Sequence, residues 1–217
     1  MPVSTRADGP AAVRQAVHDA ALACISRYGV AKTNLDDVAA EAGLSRAAAY
    51  RACPGGKQAL LASVFATEAT AVLKSIADAV AEADDLAGGL AAGMAAASRR
   101  LGSIEALRFV LRYEPELVLP HLSFAGLDRF LFAASAALTP ALTRWLDPAA
   151  ARATVELCAR LFVSHWGNPD PRVRLSDPDQ TLRLVEDFVL PTITRGNTPD
   201  PGTRGIPPTP RPQKEEQ

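Results

Sequence analysis

The sequence predicts an all-α protein, and three observations lead to that prediction. Alanine is abundant while aromatic residues make up only 6% of the 217 residues, a composition that favours closely packed helices over sheets. Apolar residues recur at helical spacing, beginning with Val13, Val17, Ala20 and Cys24. Glycine and proline divide the chain into segments of helical length, none of which alternates as a strand would. We therefore expect eight to ten helices.

Composition and charge place the chain among ordinary globular proteins. Apolar residues make up 48% and charged residues 22%, and the length exceeds that of one small binding module. The net charge of −1 conceals an asymmetry, since residues 1–60 hold seven Lys/Arg against five Asp/Glu and the remainder sixteen against nineteen. A mildly basic N-terminal part is weak support for a phosphate-binding face.

The lack of a recognisable targeting signal and the spacing of the cysteines predict a cytoplasmic protein that does not contact a membrane. The sequence has no apolar run of about 18 residues, and its first ten residues lack the apolar region of a signal peptide. Cys24, Cys53 and Cys158 are far apart and lie within helical patterns. Disulfide frameworks and metal clusters require closer, paired spacing, so reduced thiols are predicted.

The N-terminal segment predicts two helices in succession. Pro10 is suited to the first turn of a helix, and the apolar stripe that follows ends at Gly29, a residue typical of helix C-termini. Either Thr33 or Asn34 then caps a short second helix, whose first turn carries acidic residues near the positive end of the helix dipole.

The second and third helices have the layout of a helix-turn-helix that reads DNA. Gly43 ends the second helix, and only Leu44 separates it from Ser45, the cap of a third helix that runs from Arg46 to Cys53. We expect a close crossing of the helices at Ala39 and a sharp turn at Gly43. The spacing makes residues 46–51 the recognition helix, with its N-terminal end presented to the major groove.

The rest of the chain predicts a larger helical body. A long helix from about Lys57 to Asp84 connects it to the N-terminal head. Further helices are expected over 86–101, 104–113, 115–146 (interrupted by two prolines), 148–166 and 178–194. Residues 195–217 are rich in proline and predict a disordered tail. The predicted domains are a helix-turn-helix head (10–56), a ligand-binding and dimerisation body (57–194) and the tail (195–217).

The head resembles the tetracycline-repressor (TetR) family. The similarity covers about fifty residues and rests on Ala20-Ala21-Leu22, Gly29, the run from Thr33 to Arg46, Tyr50-Arg51, Pro54, Lys57 and Leu60-Leu61. Three later segments, 119–124, 159–164 and 188–191, are similar to an actinobacterial-type subset. The resemblance implies a helical regulatory domain with a ligand cavity, and dimerisation through the last two helices.

The resemblance also implies roles for individual residues in DNA binding. Thr33, Ser45, Tyr50 and Lys57 would contact phosphates, while Arg46, Ala47 and Ala48 would face base edges. This assignment agrees with the chemistry, because hydroxyls and ammonium groups bind phosphates and arginine binds guanine bidentately. The full predicted set is Thr33, Asn34, Ser45, Arg46, Ala47, Ala48, Tyr50, Arg51 and Lys57.

Two departures from the family pattern bear on this set. Cys53 stands where the family usually has an aromatic residue, and Ala52 where it often has histidine. The turn from Pro54 to Lys57 is one residue longer than the commonest form, which moves Lys57. Because three alanines follow Arg46, we expect Arg46 and Arg51, together with DNA shape, to carry most of the discrimination. Other roles stay open: Tyr50 as a core aromatic, Lys57 as a solvated lysine, and Arg51 paired with Glu41 or Asp37.

The body provides candidates for sensing and assembly. The predicted effector is a small apolar or amphipathic molecule, held near the proline kink at residue 120. Its candidate contacts are Met94, Leu107, Leu111, His121, Leu127, Phe130, Phe162 and His165. The predicted dimer interface, on helices 148–166 and 178–194, comprises Val155, Cys158, Phe162, Leu182, Val185 and Val189.

No pattern in the sequence indicates catalysis, a cofactor or a metal site. The three histidines have no ligand-type side chain three or four residues away, and there is no phosphate-binding loop or nucleophile motif. The favoured hypothesis is a ligand-responsive repressor that binds a palindromic double-stranded DNA operator as a homodimer. A helical ligand-binding or scaffold protein with a degenerate helix-turn-helix is the alternative, and an activator is a third option.

Overall fold

A computed structural model describes residues 9–117, 124–167 and 173–196, which form helices and turns with no strand among them. The prediction of an all-α chain is confirmed. The helices are α1 (Pro10–Lys32), α2 (Leu35–Glu41), α3 (Arg46–Ala52), α4 (Gly56–Ala81), α5 (Leu86–Ser103), α6 (Glu105–Tyr113), α7 (Phe124–Leu142), α8 (Pro148–Gly167), α9 (Pro178–Leu184) and α10 (Leu190–Gly196). A π-helical turn (Val185–Val189) joins α9 to α10, and a 3₁₀ turn (Pro115–Leu117) follows α6. The predicted tail lies outside the described residues from 197 onward.

The turns of the head follow from a few residues with special roles. Gly29, at φ 81° and ψ 170°, interrupts α1, and one further helical turn follows it. Asn34 rather than Thr33 caps α2, since its side-chain oxygen accepts hydrogen bonds from the amides of Asp36 and Asp37. Gly43 adopts the left-handed conformation (φ 65°) that the sharp turn requires.

A small core of mostly short side chains holds the three head helices together. Ala21, Ala39 and Ala49 are almost completely buried in it, and Leu44 packs against its edge. Small side chains allow the helix backbones to approach closely, as predicted for Ala39. The remaining buried members are Val17, Ala20, Cys24, Leu35, Val38, Leu60 and Val64.

A second, separate apolar cluster joins the head to the body. Ile25 of α1 is buried there against Ile104, Ala106 and Val110, which lie on and just before α6. Burying apolar surface between two units stabilises their contact by about 25 cal/mol per Å². We call this cluster the seam.

The body has its own large core, in which α5 packs against α4, α8 and α9. The glycines of α5 explain why this segment is rich in small residues. A Cβ atom at Gly93 would lie 3.0 Å from Val80 Cγ2, and one at Gly89 would lie 2.9 Å from Trp145 Cη2. Both glycines therefore permit a helix approach that alanine would obstruct.

Arg144 fixes the C-terminal end of α4 to the turn between α7 and α8. Its guanidinium donates hydrogen bonds to the carbonyl oxygens of Val80 (3.0 Å), Ala81 (3.2 Å) and Ala83. It also lies over the Trp145 ring, 3.6 Å from the centroid. Val80 and Ala81 belong to the last turn of α4, where carbonyl groups run out of helical amide donors, so the guanidinium adds donors at this helix end.

By length and composition alone, α4 could cross a membrane, contrary to the sequence-based expectation that no segment qualifies. Only 11% of its most apolar window is buried in this fold. A single helix of this kind is weak evidence for membrane insertion, and here α4 connects the head core to the body core.

The three cysteines are free thiols. Cys24 and Cys158 are buried, while Cys53 is half-buried next to the head core. Desolvation raises the pKa of Cys158 to about 12 and is also the main cause that raises the pKa of Cys24. Both groups are held in the neutral, unreactive form.

The apolar stripe that was expected to form the dimer interface packs inside the subunit. Val155, Cys158, Phe162, Val185 and Val189 are all buried in the body core. Leu182 is half-buried against the same core. The apolar stripe of an amphipathic helix turns first towards the core of its own chain, so these residues are not a free surface.

The close approach at Gly89 leads to a prediction about stability. Gly89→Ala should lower the free energy of unfolding by about 1–3 kcal/mol, because the added methyl group must displace the Trp145 ring. Gly102→Ala is the matched control, since it lies in the same helix with no heavy atom within 4 Å of its Cβ position. The control should be neutral or slightly stabilising, within about 1 kcal/mol. Urea unfolding followed by circular dichroism measures both, and equal effects would contradict the prediction.

Candidate nucleic-acid interface

Helix α3 presents one face to solvent and fixes the other in the head core. Ala49 is fully buried beneath it, whereas Arg46, Ala47, Tyr50 and Arg51 are exposed. Ser45 caps the helix, because its hydroxyl oxygen accepts a hydrogen bond from the Ala48 amide at 3.2 Å. The alternative role of Tyr50 as a core aromatic is wrong, since its side chain is about half exposed.

Arg46 pairs with Asp36, across the turn of the helix-turn-helix. Its Nε donates to Asp36 Oδ1 at 2.6 Å, and Nη2 donates to the other carboxylate oxygen. The hydrogen bond and the charge of Asp36 raise the pKa of Arg46, which stays a cation. The arginine side chain is 73% exposed, and exposed ion pairs contribute only about 0–1 kcal/mol. The guanidinium is therefore available to exchange this partner for another anion or acceptor.

Arg51 remains free for DNA, because the acidic residues expected to pair with it have other partners. Glu41 forms a two-pronged ion pair with Arg27, at 2.8 and 2.9 Å, that ties α2 to α1. Asp37 accepts a hydrogen bond from Asn34 Nδ2 at 2.6 Å. Within the part of the chain that the structure describes, Arg51 forms no ion pair.

Thr33 and Asn34 serve local structure. Thr33 is 1% exposed and its hydroxyl donates to the Gly29 carbonyl oxygen at 2.7 Å. This burial does not favour the expected phosphate contact through the Thr33 hydroxyl, which stays a prediction. Asn34 is exposed, but its amide group is occupied by capping α2 and by Asp37.

Lys57 also has a local partner. Its ammonium group donates a hydrogen bond to the Ala31 carbonyl oxygen at 2.9 Å, and the residue is half-buried. The extended turn before it contains Gly55 and Gly56, both with positive φ. This turn places Lys57 beside the break in α1, where its hydrogen bond to Ala31 is exposed, and its contact with phosphate stays a prediction.

Five of the residues predicted to bind a ligand lie in different parts of the body. Met94 and Phe162 are buried in the body core, whereas Leu107 packs at the seam. Phe130 is 44% exposed on α7. A ring nitrogen of His165 lies 2.9 Å from the carbonyl oxygen of its own helix neighbour Leu161.

The other three ligand candidates belong to the stretch from α6 to α7. His121 lies outside the described residues, and Leu127 belongs to α7, for which only the backbone is described at that position. Leu111 is half-buried on α6. The grouping of these residues around an effector stays a prediction.

A cleft of about 520 Å³ opens where the head meets the body, between α1, α4 and the α5–α6 joint. Glu68 lies at its centre and accepts a hydrogen bond from Arg100 at 2.7 Å. His18 Nε2 lies 3.2 Å from the other oxygen of the same carboxylate. None of the predicted ligand contacts lines this cleft or the second one, of about 480 Å³, along α4 and α5. Among the described residues, no three His, Cys, Asp or Glu side chains form a metal-binding group.

Helix α3 exposes arginine side chains on a three-helix head, and a separate helical body carries that head. This arrangement defines a helix-turn-helix DNA-binding protein. Residues 17–64 match the family described as bacterial regulatory proteins, tetR family. The match covers the head and the start of α4, which identifies this part of the chain as a tetR-family DNA-binding domain, and it supports a role in transcriptional regulation. Members of this family bind DNA operators and act as dimers with small-molecule effectors, and the family consists of regulators rather than enzymes.

Solved structures share the fold over nearly their whole length. The TetR-family repressor AlkX from Dietzia sp., implicated in biodegradation of n-alkanes, is 22% identical with a TM-score of 0.60, covering 84% of this chain and 95% of that one. A TetR-family regulator from Pectobacterium atrosepticum is 23% identical with a TM-score of 0.58, covering 85% and 95%. The fatty acid degradation regulator FadR from Bacillus halodurans is 18% identical with a TM-score of 0.54, covering 82% and 96%. Comparison with curated protein sequences gave no significant match.

The ion pair of Arg46 predicts how a change in α2 alters DNA affinity. Asp36→Asn should tighten binding to double-stranded DNA by about fivefold at low salt, because it frees Arg46 from a competing anion. Titration of a labelled duplex by fluorescence anisotropy gives the dissociation constants.

Asp37→Asn is the matched control for this measurement. It removes the same charge from the same helical turn, yet Asp37 does not contact Arg46. Its effect should be the smaller of the two. Equal tightening by both variants would mean that only net charge matters, and weaker binding by Asp36→Asn would mean that Asp36 orients Arg46 for DNA.

Proposed function

We propose that this protein is a cytoplasmic, ligand-responsive repressor without enzymatic activity, which binds a palindromic operator as a homodimer. The observation that carries the proposal is the exposed face of α3, on which Arg46, Tyr50 and Arg51 project from a helix anchored by the buried Ala49. A decayed helix-turn-helix in a scaffold protein would not need to keep these groups outside a well-packed head.

The chemistry of α3 supports a specific mode of DNA reading. With its N-terminal end in the major groove, Arg46 leaves Asp36 and binds guanine O6 and N7 bidentately. The Ala47 methyl group packs against a thymine methyl group, while the hydroxyls of Ser45 and Tyr50 bind phosphates. Because α3 offers few polar side chains that can contact base edges, the width and deformability of the duplex contribute to the discrimination between DNA sequences.

We place the dimer interface on the outer faces of α8 and the last helices rather than on their buried stripes. Phe188 is 62% exposed at the π-helical turn, and Leu157 of α8 is half-buried. Phe188 lies on the last helices, to which the family resemblance assigns dimerisation, and an exposed aromatic side chain there suits a two-fold interface. A dimer of this kind carries two recognition helices for half-sites about 34–36 Å apart.

We assign effector sensing to the body (57–194) and the DNA binding that responds to it to the head (10–56). The apolar body core around Met94 and Phe162 supports an apolar or amphipathic effector. Similarly folded regulators concerned with n-alkane and fatty acid degradation are consistent with this class. An effector that prefers one relative placement of head and body changes the separation of the recognition helices, and hence the affinity for the operator.

Selection of bound sequences from a random double-stranded DNA pool tests the proposal directly. The expected result is a palindrome whose half-sites are separated by about one helical turn. Affinity for it should fall by orders of magnitude between low and physiological salt, as about six or more phosphate contacts require. A protein that enriches no sequence and shows no salt-dependent binding would be a scaffold or a ligand carrier.

Arg46 provides a residue-level prediction within the same selection. Arg46→Ala should relax the preference at one base pair of each half-site by about 1–3 kcal/mol, because a bidentate contact to guanine is lost. Arg108→Ala, on α6, is the control, since it removes an arginine from an exposed ion pair with Glu105. An unchanged base preference in the Arg46 variant would overturn the assigned role.

The outer face of the last helices predicts the oligomeric state. Phe188→Ser should shift the dimer towards monomer by at least about tenfold in dissociation constant, since a buried aromatic anchor commonly contributes about 2 kcal/mol or more. Sedimentation velocity across a concentration series measures the shift. Phe65→Ser, on α4, serves as control because Phe65 is 74% exposed and lies on another helix. A Phe188 variant that dimerises as the unmodified chain does would move the interface elsewhere.

A further inference from the structure

A carboxylate of the body is bound to the break in the first helix of the head. Glu114, which directly follows α6, accepts a hydrogen bond from the Val30 amide through Oε2 at 2.7 Å. Its Oε1 accepts a second hydrogen bond from the Ala31 amide at 3.1 Å. The partners are more than eighty residues apart in sequence, so this contact forms only when head and body are docked.

The two amides are available because Gly29 interrupts the helix. Its backbone conformation, at φ 81° and ψ 170°, ends the hydrogen-bond ladder and starts a new turn. The first amides of such a turn lack helical acceptors and favour a negative charge. One carboxylate that receives two adjacent amides is a strong, charge-assisted contact.

The same short segment is held from two further sides. The Lys57 ammonium group, at the start of α4, donates to the Ala31 carbonyl oxygen at 2.9 Å. The buried Thr33 hydroxyl donates to the Gly29 carbonyl oxygen at 2.7 Å. The next residue, Asn34, caps α2. The segment fixed by Glu114 and Lys57 thus leads directly into the helix-turn-helix.

The approach of Glu114 depends on a glycine at position 29. A Cβ atom there would lie 2.7 Å from Glu114 Oε1 and 2.9 Å from Phe109 Cε1. Any side chain at Gly29 would therefore push the carboxylate and the α6 ring away from the head. Glycine serves two purposes here, since its positive φ is also one that other residues rarely adopt.

We propose that Glu114 is a positioning residue for DNA recognition, which sets the orientation of the helix-turn-helix relative to the body. The inference rests on the dimeric operator binding proposed above. In a dimer assembled through the body, the angle at which each head is held sets the separation of the two recognition helices. Glu114 therefore selects the spacing between half-sites without contacting DNA.

The test compares operators in which the selected half-sites are moved apart or together by one or two base pairs. Glu114→Gln can accept only one of the two amide hydrogen bonds, because its NH₂ group faces the other amide. Affinity for the best-spaced operator should fall about tenfold, as expected for losing a hydrogen bond to a charged group. Affinity for the altered spacings should change by less than about twofold, so the spacing profile flattens. A general loss of stability would lower all affinities together.

Glu116→Gln is the matched control, because Glu116 is an exposed carboxylate two residues further along with no contact to the head in the described structure. Hydrogen exchange provides a second readout: the amides of Val30 and Ala31 should be protected in the unmodified chain and exchange faster in Glu114→Gln only. If Glu114→Gln does not fold, Glu114→Asp, whose shorter side chain cannot reach both amides, takes its place in both measurements.

The outcomes separate this inference from the proposed function. An unmodified protein with no preferred spacing would overturn the dimeric reading of DNA, and the role of Glu114 with it. A preferred spacing that Glu114→Gln retains with its full sharpness would overturn the role of Glu114 alone. Rapid exchange of the Val30 and Ala31 amides in the unmodified chain would do the same, since the contact would then not persist in solution.

Discussion

The close packing of small side chains in the head is the constraint on which DNA reading depends. Ala21, Ala39 and Ala49 let α1, α2 and α3 pack closely, and each is almost fully buried. Helices as short as α2 and α3 are not stable alone in water, so this packing is what holds α3 in place. Because Ala49 faces inward, Tyr50 in the next position turns outward, while Arg46 is exposed at the first turn of the helix.

The junction between head and body combines apolar and polar contacts of different character. The seam around Ile25 and Val110 provides non-directional attraction, which tolerates small rotations. Glu68 and Glu114 add directional bonds, the first to Arg100 and the second to backbone amides of α1. A regulator needs a head that is held but still able to shift, and a hydrophobic contact with a few polar bonds at its edges meets both needs.

The site was only partly predictable from sequence, and the contacts that were missed share one cause. The positions of Ser45 and Arg46 at the start of the recognition helix follow from local spacing and are as expected. Thr33 and Lys57 are directed inward because of a break at Gly29 that glycine permits but does not specify in detail. The partnership of Asp36 with Arg46 bridges two helices, so no periodicity within one helix could reveal it.

The sequence by itself determined several local features: the starts of α3, α8 and α9, the capping of α3 by Ser45, and the glycine turn between α2 and α3. These depend on interactions among residues that are neighbours in the chain, which propensity and capping chemistry describe well. Tertiary structure alone decided which apolar stripes are buried, so that Val185 and Val189 face their own core and Phe188 faces outward. It also brought Glu114 to α1. Such choices depend on the relative placement of distant helices, which a periodic pattern leaves undetermined.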